Sequence, residues 1–315
     1  MSKDQSIDII IVGGGAGGLS AAQYAARAGL NAHVFEEMAP GGELLTIDNL
    51  ENYPGFEEPI GGFELSDKFA KQAEQFGATI HFAQVDSITH NEDGSFTVAT
   101  GDGDFTVPVV IMATGAKRRE LGVPGEKEYA GRGVSYCATC DGPFFKSKKM
   151  LVVGGGDSAC DESQFLAKLT QDVVMVHRRE RFRAQKSLAL LVENNENIET
   201  RFNHRLLEIK GEDDKVTHVT LYDIENDKTY DEDFDAVFIF VGADPRTQLV
   251  PYAELDEGGY IVTNEMMQTN IPGLFAVGDV RTTPFRQVVT SVSDGAIAAH
   301  IASKYIDELR GQAYE

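Results

Sequence analysis

This chain of 315 residues has only three cysteines and no long hydrophobic run near its beginning. The apolar stretch Ile7 to Val12 contains Asp8 and is followed by a cluster of glycines, so it is too short and too interrupted for a signal or membrane segment. Three cysteines in a chain of this length do not make the disulfide framework of a small secreted domain. These absences predict a cytoplasmic protein.

Basic residues are also scarce. The chain has 28 lysines and arginines against 50 acidic residues, which gives a net charge of −22. Such an acidic surface repels phosphate backbones and anionic lipid, so neither nucleic acid nor a membrane is an expected partner. The content of hydrophobic residues, 42%, is that of an ordinary globular protein, and the length is sufficient for two domains with separate cores.

A glycine-rich segment near the N-terminus has the three features of a dinucleotide-binding βαβ unit. A buried strand precedes it, and a helix through Leu19–Ala28 follows. Gly13 would make the tight turn, Gly15 would let the backbone approach a pyrophosphate, and Gly18 would let the helix pack on the sheet. Glu36 ends the next strand, where an acid accepts hydrogen bonds from ribose hydroxyls. The alternative is a glycine turn that binds nothing.

A second segment of the same kind begins 141 residues later, after the apolar strand Met150–Val153. A helix from about Asp157 to Leu169 and a strand through Val173–Val176 follow, as in a duplicated nucleotide-binding fold. Here the second strand ends on basic residues. Because guanidinium groups suit phosphate in charge and geometry, this site is expected to prefer NADP(H) to NAD(H). The alternative is a solvated basic turn. The residues of this site are Gly154, Gly156, Ala159, His177, Arg178, Arg179 and Arg183.

The segments between the two glycine-rich sites predict the domain organisation. Phe96–Thr100 and Phe105–Val110 flank a Gly-Asp-Gly turn and predict a β-hairpin. Two apolar strands, near residues 111–115 and 236–242, each end in glycine, so linkers are predicted at 116–123 and 242–247. The expected fold is α/β, with an outer domain formed by residues 1–117 and 245–315 and an inner domain formed by residues 118–244.

Cys137 and Cys140 lie between the two glycine-rich sites, and their spacing permits a disulfide, a metal site or simple burial. Zinc is poorly supported because structural zinc takes four ligands and no second cysteine pair is present, and no metal is expected. Redox chemistry is the favoured interpretation, and Asp141 supplies a carboxylate that could move a proton as a thiolate forms. Cys160 falls on the second nucleotide helix, and we interpret it as a packing residue.

Taken together, these motifs resemble the bacterial-type, low-molecular-weight thioredoxin reductases over essentially the whole chain. Glutathione-reductase-like relatives carry their redox cysteines after the second strand of the FAD domain, where this chain has none. The motifs that carry the resemblance are Gly13–Gly18, Pro40–Gly42, Glu51–Gly55, Ala113–Gly115, Cys137–Asp141, Gly154–Ala159, His177–Arg179, Arg183–Ala184, Gly278–Asp279 and Arg286–Gln287.

The resemblance implies two Rossmann-like domains of three-layer ββα architecture, the FAD domain being discontinuous, in a homodimer that binds FAD and NADPH. The implied FAD residues are Gly13, Gly15, Ala16, Gly18, Glu36, Gly41, Gly42, Glu43, Leu44, Asn52, Val85, Ala113, Thr114, Gly115, Gly278, Asp279, Arg286, Gln287 and Val288. Asp157 and Ser158 join the NADPH residues named above.

The implied activity is thioredoxin-disulfide reduction, in which Cys140 reacts with the flavin, Cys137 attacks thioredoxin and Asp141 handles the proton. Because the nicotinamide site and the dithiol share a domain, the family presents them to the flavin in turn by rotating that domain. The alternative function is a FAD-dependent dithiol oxidase, or a reductase for another thioredoxin-like or small disulfide partner.

Two departures from the family pattern bear on the site: Glu43 stands where the family usually has Gln, and Pro143 stands where an aromatic residue is common. The candidates for docking thioredoxin are Arg132, Phe144 and Phe145.

Overall fold

In a computed structural model, which describes residues 6–47 and 50–312, the chain divides into two compact units. The first unit comprises residues 1–117 and 244–315, and the second comprises residues 118–243. In chain order the strands and helices are β1 (Ile9–Val12), α1 (Ala16–Arg27), β2 (Ala32–Glu36), α2 (Gly62–Gln75), β3 (Thr79–Phe82), β4 (Val85–His90), β5 (Phe96–Thr100), β6 (Gly103–Val107), β7 (Val109–Met112), β8 (Ala116–Arg118), β9 (Val134–Ser135), α3 (Ala138–Asp141), β10 (Met150–Gly154), α4 (Asp157–Leu166), β11 (Val173–His177), α5 (Lys186–Glu193), β12 (Ile198–Phe202), β13 (His204–Glu212), β14 (Lys215–Asp223), β15 (Lys228–Asp233), β16 (Ala236–Phe240), β17 (Ala243–Pro245), β18 (Leu274–Ala276) and α6 (Val288–Leu309).

The first unit has three layers. Its central sheet is parallel, with strand order β18-β7-β1-β2-β3, and β1 is buried along its whole length because both faces of the sheet are covered. On one face α1 and α6 pack their alanines against Ile9 and Ile11. On the other face the antiparallel sheet β4-β5-β6 packs Phe96 and Val98 against Ile10. This is the ββα arrangement expected of a Rossmann-like domain.

The second unit repeats the architecture. Its parallel sheet has the order β12-β11-β10-β16-β9, with β10 at the centre beside β11 and β16. The antiparallel sheet β13-β14-β15 covers one face, where Val219 and Leu221 pack against Leu151. Helices α4 and α5 cover the other face. The expected fold class, two Rossmann-like α/β domains, is confirmed.

The chain passes between the units at β8 and β17, and these two short strands pair with each other. Within the first unit, Thr114 Oγ1 donates to the Arg246 carbonyl at 2.7 Å. Within the second, the Arg119 N–H donates to the Gly242 carbonyl at 3.0 Å. Both crossings are therefore held by hydrogen bonds on either side.

The predicted hairpin is only partly right. Phe96–Thr100 pairs with Gly103–Val107, but Val109 and Val110 belong to the separate parallel strand β7. Pro108 divides the two strands, because it has no N–H for the hairpin ladder. The two nucleotide helices also differ from their predicted bounds. Helix α1 begins at Ala16, inside the glycine cluster, rather than at Leu19, and α4 ends at Leu166 rather than at Leu169.

No helix within residues 6–47 and 50–312 is long and apolar enough to cross a membrane.

Candidate active site

The first glycine-rich turn, between β1 and α1, has the shape that a dinucleotide requires. Gly13 has a φ of +104°, and a Cβ there would lie 2.4 Å from the Ala113 carbonyl oxygen. A Cβ at Gly18 would lie 2.0 Å from the Gly13 oxygen, so the helix can approach the turn only without that side chain. By contrast, a Cβ at Gly15 would meet nothing within 4 Å. The space before the helix N-terminus is therefore open to an anionic group.

Glu36, at the end of β2, lies against this turn. Its Oε2 accepts the Gly14 N–H at 2.7 Å, and its Oε1 accepts the Met38 N–H at 3.2 Å. Each carboxylate oxygen has a second lone pair, so the group can still accept hydrogen bonds from two hydroxyls. The acid predicted to bind ribose thus has both the place and the capacity to do so.

Two further hydrogen bonds join segments of the first unit that are far apart in sequence. The Gly41 N–H donates to the Gly14 carbonyl at 2.8 Å, which brings the segment after β2 beside the first glycines. Asn52 Nδ2 donates to Gln287 Oε1 at 3.0 Å. Gln287 caps the N-terminus of α6, so Asn52 connects the short loop before α2 to that helix end. Sequence positions far apart, all predicted to bind FAD, therefore converge in the first unit.

The loop before α6 is held by Asp294 and carries a cationic side chain. Asp294 accepts the Gly278 N–H at 3.0 Å and pairs with Arg281 at 2.8 Å, which fixes the turn that bears Asp279. The Arg286 guanidinium lies 4.1 Å from the Tyr260 ring centroid. Its Nε is buried, with no hydrogen-bond partner among the described residues. Because buried donors are normally satisfied, this atom fits a bound group that supplies an acceptor.

These features fit FAD: an open glycine turn at a helix N-terminus, an acid at the ribose position and an unsatisfied buried donor. The remaining predicted FAD residues lie in the same unit, where Leu44 and Val85 are buried and Gly42 and Glu43 are exposed. Val85 begins β4 and packs in the core with Phe35, so its side chain forms part of the wall of the unit.

The second glycine-rich turn, between β10 and α4, has the same construction. A Cβ at Gly154 would lie 2.5 Å from the Phe240 carbonyl oxygen, whereas one at Gly156 would meet nothing within 4 Å. Asp157 opens α4, and its carboxylate accepts the Gln185 N–H at 2.7 Å. The space before this second helix N-terminus is also open.

His177 lies beneath this turn. It is only 8% exposed, and a Cβ at Gly155 would lie 2.3 Å from its Nδ1. Burial, followed by the charges of Arg179 and Arg178, lowers the pKa of His177. The neutral imidazole of His177 therefore packs against the glycine turn. Its contact with a nucleotide stays a prediction.

The arginines after β11 are exposed. None of Arg178, Arg179 and Arg183 has a carboxylate partner among the described residues. The Arg183 N–H donates to the Gly155 carbonyl at 2.6 Å, which brings the arginine segment to the glycine turn. Exposed guanidinium groups beside an open phosphate-binding turn fit the 2′-phosphate of NADPH.

Cys137 and Cys140 form a disulfide with a Cα–Cα separation of 5.3 Å. Cys137 precedes the short helix α3, and its sulfur accepts the Cys140 N–H at 3.2 Å. A backbone N–H directed at this sulfur stabilises the thiolate that forms on reduction. Redox pairing is thus the state that the structure shows for the two cysteines.

Asp141 lies at the end of α3, with its side chain partly buried. Its Oδ2 accepts the Ser135 hydroxyl at 2.5 Å. Burial raises the pKa of Asp141, and the Ser135 hydrogen bond and the charge of Arg118 oppose that rise. A carboxyl with a raised pKa is suited to exchange a proton with a thiolate near neutral pH.

Two residues of this site were not predicted from the sequence. Ser135 is buried, accepts the Cys137 N–H at 3.1 Å and so connects Cys137 to Asp141. Glu162 of α4 accepts the Ala138 N–H at 3.2 Å, and burial raises its pKa. Neither residue belongs to a sequence motif that predicts a role in the site. For Ser135 alone, its position two residues before Cys137 could have indicated one.

The predicted docking residues differ in exposure. Phe144 is 53% exposed, whereas Phe145 packs edge-on against Phe238 with ring centroids 6.2 Å apart. Arg132 is exposed and pairs with Asp214 at 3.2 Å. Cys160 is buried, and burial raises its pKa to about 11, as expected of an inert packing residue.

Comparison with known proteins identifies relatives along nearly the whole chain. The family model described as pyridine nucleotide-disulphide oxidoreductase matches residues 7–295. A thioredoxin reductase of Treponema pallidum (strain Nichols) is 52% identical over 303 residues, covering 96% of this chain and 98% of the relative. A thioredoxin reductase of Bacillus subtilis (strain 168) is 41% identical over 313 residues, covering 98% of each.

A solved structure gives the same result. The crystal structure of thioredoxin reductase from Streptococcus pyogenes MGAS5005 is 41% identical, covers 97% of this chain and 100% of its own, and superposes with a TM-score of 0.90. On these matches, and on a disulfide that lies between two glycine-rich nucleotide turns, the chain belongs to the thioredoxin reductases of the pyridine nucleotide-disulphide oxidoreductase family.

Proposed function

We propose that this protein reduces the disulfide of thioredoxin with electrons from NADPH, which pass through FAD and the Cys137–Cys140 pair. The observation that carries the proposal is the position of that pair. All three cysteines belong to the second unit, which also contains the second glycine turn and its arginines, while the first unit contains the other turn and no cysteine. A disulfide placed in this way is the terminal electron acceptor within the chain.

The first unit would hold FAD through the Gly13–Gly18 turn, Glu36 and the N-terminus of α6. When bound, FAD accepts a hydride from NADPH and passes on two electrons. The chain would supply the turn for the pyrophosphate, the carboxylate of Glu36 for the ribose and the buried Arg286 donor. Glu43, which stands where the resemblance implies Gln, is exposed.

The second unit would hold NADPH. The Gly154–Ala159 turn would bind the pyrophosphate, and Arg178, Arg179 and Arg183 would bind the 2′-phosphate. Since no acid ends β11, the ribose of NADH would find no partner of the kind that Glu36 provides in the first unit.

Two electrons cleave the Cys137–Cys140 bond and leave two reduced sulfurs. The Cys137 thiolate then attacks one sulfur of the thioredoxin disulfide, which forms a mixed disulfide and releases the first thioredoxin thiolate. Cys140 attacks the Cys137 sulfur, reforms the internal disulfide and releases the second thiolate. Electrons balance, because the Cys137–Cys140 dithiol is oxidised back to a disulfide as the thioredoxin disulfide is reduced to a dithiol.

Asp141 would exchange the proton in this sequence. Its raised pKa favours the protonated carboxyl, so it can donate a proton to a departing thiolate and recover it later. Phe144 and Arg132 are proposed contacts with thioredoxin. Docking at Arg132 would compete with its ion pair to Asp214, which is exposed and therefore weak.

The experiment is turnover of the FAD-loaded protein with NADPH and thioredoxin, followed by thiol release. Small disulfides and oxygen serve as competing acceptors in parallel assays. The proposal expects thioredoxin to be reduced much faster than either. Equal rates with small disulfides would indicate a general reductase, and preferential use of oxygen would indicate an oxidase.

We also propose that the chain is a cytoplasmic homodimer. The apolar side chains Met38, Phe63 and Phe82 of the first unit are exposed, and exposed apolar surface supports self-association. Sedimentation equilibrium of the FAD-loaded protein tests the dimer, and a mass of one chain at micromolar concentration would contradict it.

A further inference from the structure

We propose that Glu126 and Tyr136 form a clamp that positions the redox dithiol, by tying the residue before Cys137 to the segment through which the chain enters the second unit. Neither residue belongs to the sites described above. The inference rests on the proposed function, because it assigns a positioning role within dithiol exchange.

Glu126 is 1% exposed, which is rare for a carboxylate, and it has three hydrogen-bond donors. Its Oε1 accepts the Leu121 N–H at 3.0 Å, and its Oε2 accepts the Gly122 N–H at 2.7 Å. The third donor is the Tyr136 hydroxyl, 3.0 Å from Oε1. A buried carboxylate with this many donors is held firmly, since losing one donor leaves charge uncompensated.

The segment that Glu126 holds follows β8, by which the chain leaves the first unit. Gly122 has a φ of +73°, so the backbone turns sharply between β8 and Glu126. The turn is fixed from the other side as well. The Ile209 N–H donates to the Pro124 carbonyl at 3.0 Å, and a Cβ at Gly125 would lie 2.0 Å from the Ile209 oxygen. One side of the clamp is therefore anchored on β13.

The other side of the clamp leads directly to the dithiol. Tyr136 lies between Ser135, whose hydroxyl donates to Asp141, and Cys137. Its ring faces the Arg118 guanidinium, 5.6 Å from the centroid. Burial, and then the Glu126 charge, raises the pKa of Tyr136, so the phenol keeps the proton that it donates. Ser135 and Cys137, on either side of Tyr136, thus belong to the dithiol site, while the Tyr136 hydroxyl is bound by Glu126.

It follows that the clamp restricts the backbone of Cys137 without touching its sulfur. Loss of the Tyr136 hydroxyl would loosen the attacking sulfur while leaving both glycine turns unchanged. Because a positioned nucleophile gains much of its rate from orientation, thiol exchange would slow. Reduction of bound FAD by NADPH would be unaffected, since neither glycine turn includes these residues.

The experiment compares Tyr136→Phe with Tyr222→Phe in the FAD-loaded protein. Tyr222 is the matched control, because its hydroxyl donates to Asp227 at 2.8 Å in an exposed hairpin of the same unit. Two rates are measured separately: flavin reduction by NADPH, and reoxidation of the reduced protein by thioredoxin. We expect Tyr136→Phe to slow only reoxidation, by about five- to tenfold, the effect of one lost hydrogen bond.

Equal reoxidation rates in the two variants would overturn the proposal, as would an equal loss in both half-reactions of Tyr136→Phe. Glu126→Ala gives a second test. It removes all three contacts of Glu126, including the one to Tyr136, so the double variant Glu126→Ala with Tyr136→Phe should reoxidise no more slowly than Glu126→Ala alone. Additive losses would contradict the clamp. Failure of the proposed function would appear differently, as an unaltered protein that does not reduce thioredoxin at all.

Discussion

The Ser135 hydroxyl lies 2.5 Å from Asp141 Oδ2, and the same hydroxyl accepts the Cys137 N–H at 3.1 Å. One buried serine therefore joins the first cysteine of the dithiol to the carboxyl that follows the second. The pKa of Asp141 is raised by its burial and lowered by Ser135 and Arg118, with burial the largest effect. Two predictions depend on this balance.

The first concerns stability. A carboxyl whose pKa is higher in the folded than in the unfolded protein opposes folding once it is charged, and this cost is absent below its usual pKa of 3.8. Asp141→Asn is therefore expected to raise the unfolding temperature at neutral pH, with the gain shrinking as pH falls through the raised pKa of the folded protein and absent below 3.8. Thermal denaturation across pH measures this. Asp86→Asn, a change at an exposed position of β4, is the control for removing a surface carboxylate.

The second concerns turnover. Ser135→Ala removes an interaction that lowers the pKa of Asp141, so the pKa rises further. If Asp141 donates the proton, the alkaline limb of the thioredoxin turnover profile should move to higher pH, with several-fold slower turnover because Cys137 also loses its hydroxyl contact. Ser163→Ala, which removes another buried hydroxyl in the same unit, should leave the limb in place. If the alkaline limb of the Ser135→Ala profile stays in place, Asp141 does not donate the proton.

The two open glycines give a paired test of the cofactor sites. Gly15 and Gly156 have φ values of −71° and −96°, which alanine can adopt, and a Cβ at either meets nothing within 4 Å. Both alanine variants should fold normally. Gly15→Ala should bind FAD at least about tenfold more weakly and keep its affinity for NADPH. Gly156→Ala should bind NADPH at least about tenfold more weakly and keep its affinity for FAD. Flavin absorbance after gel filtration and NADPH titration distinguish them, each variant serving as the control for the other.

The exposed arginines predict cofactor preference. Changing Arg178 and Arg179 to Ala should weaken NADPH by roughly ten- to a hundredfold, because two charge-assisted contacts to phosphate are lost, and should hardly affect NADH. Arg205→Ala, another exposed arginine of the second unit, is the control. KM values for both nucleotides measure the effect. If the two nucleotides weaken equally, the arginines do not recognise the 2′-phosphate.

The parts of the fold that follow from local pattern were predictable. Each βαβ unit combines a buried strand, a glycine turn and a helix within about thirty residues, so its signal is contained in one segment. The hairpin prediction failed at Pro108 because apolar residues continue from β6 into β7, and periodicity alone cannot separate two adjacent strands.

The supporting residues of the site were not predictable. Glu162 contacts Ala138 across 24 positions, and Asp214 pairs with Arg132 across 82, so tertiary packing alone brings them together. His177 was predicted beside the arginines that follow it, and the structure shows its ring beneath Gly155. Strand alternation determines which neighbour faces inward, because successive side chains point to opposite faces of the sheet.

The central claim is that one chain holds two electron acceptors in series, the flavin and the Cys137–Cys140 disulfide. Anaerobic reductive titration of the FAD-loaded protein tests it most directly. The unaltered protein should take up two electron pairs per chain, and Cys140→Ser, which has no disulfide, should take up one while its flavin is still reduced by NADPH. If the unaltered protein retains no FAD, or if both proteins take up a single pair, the account is wrong.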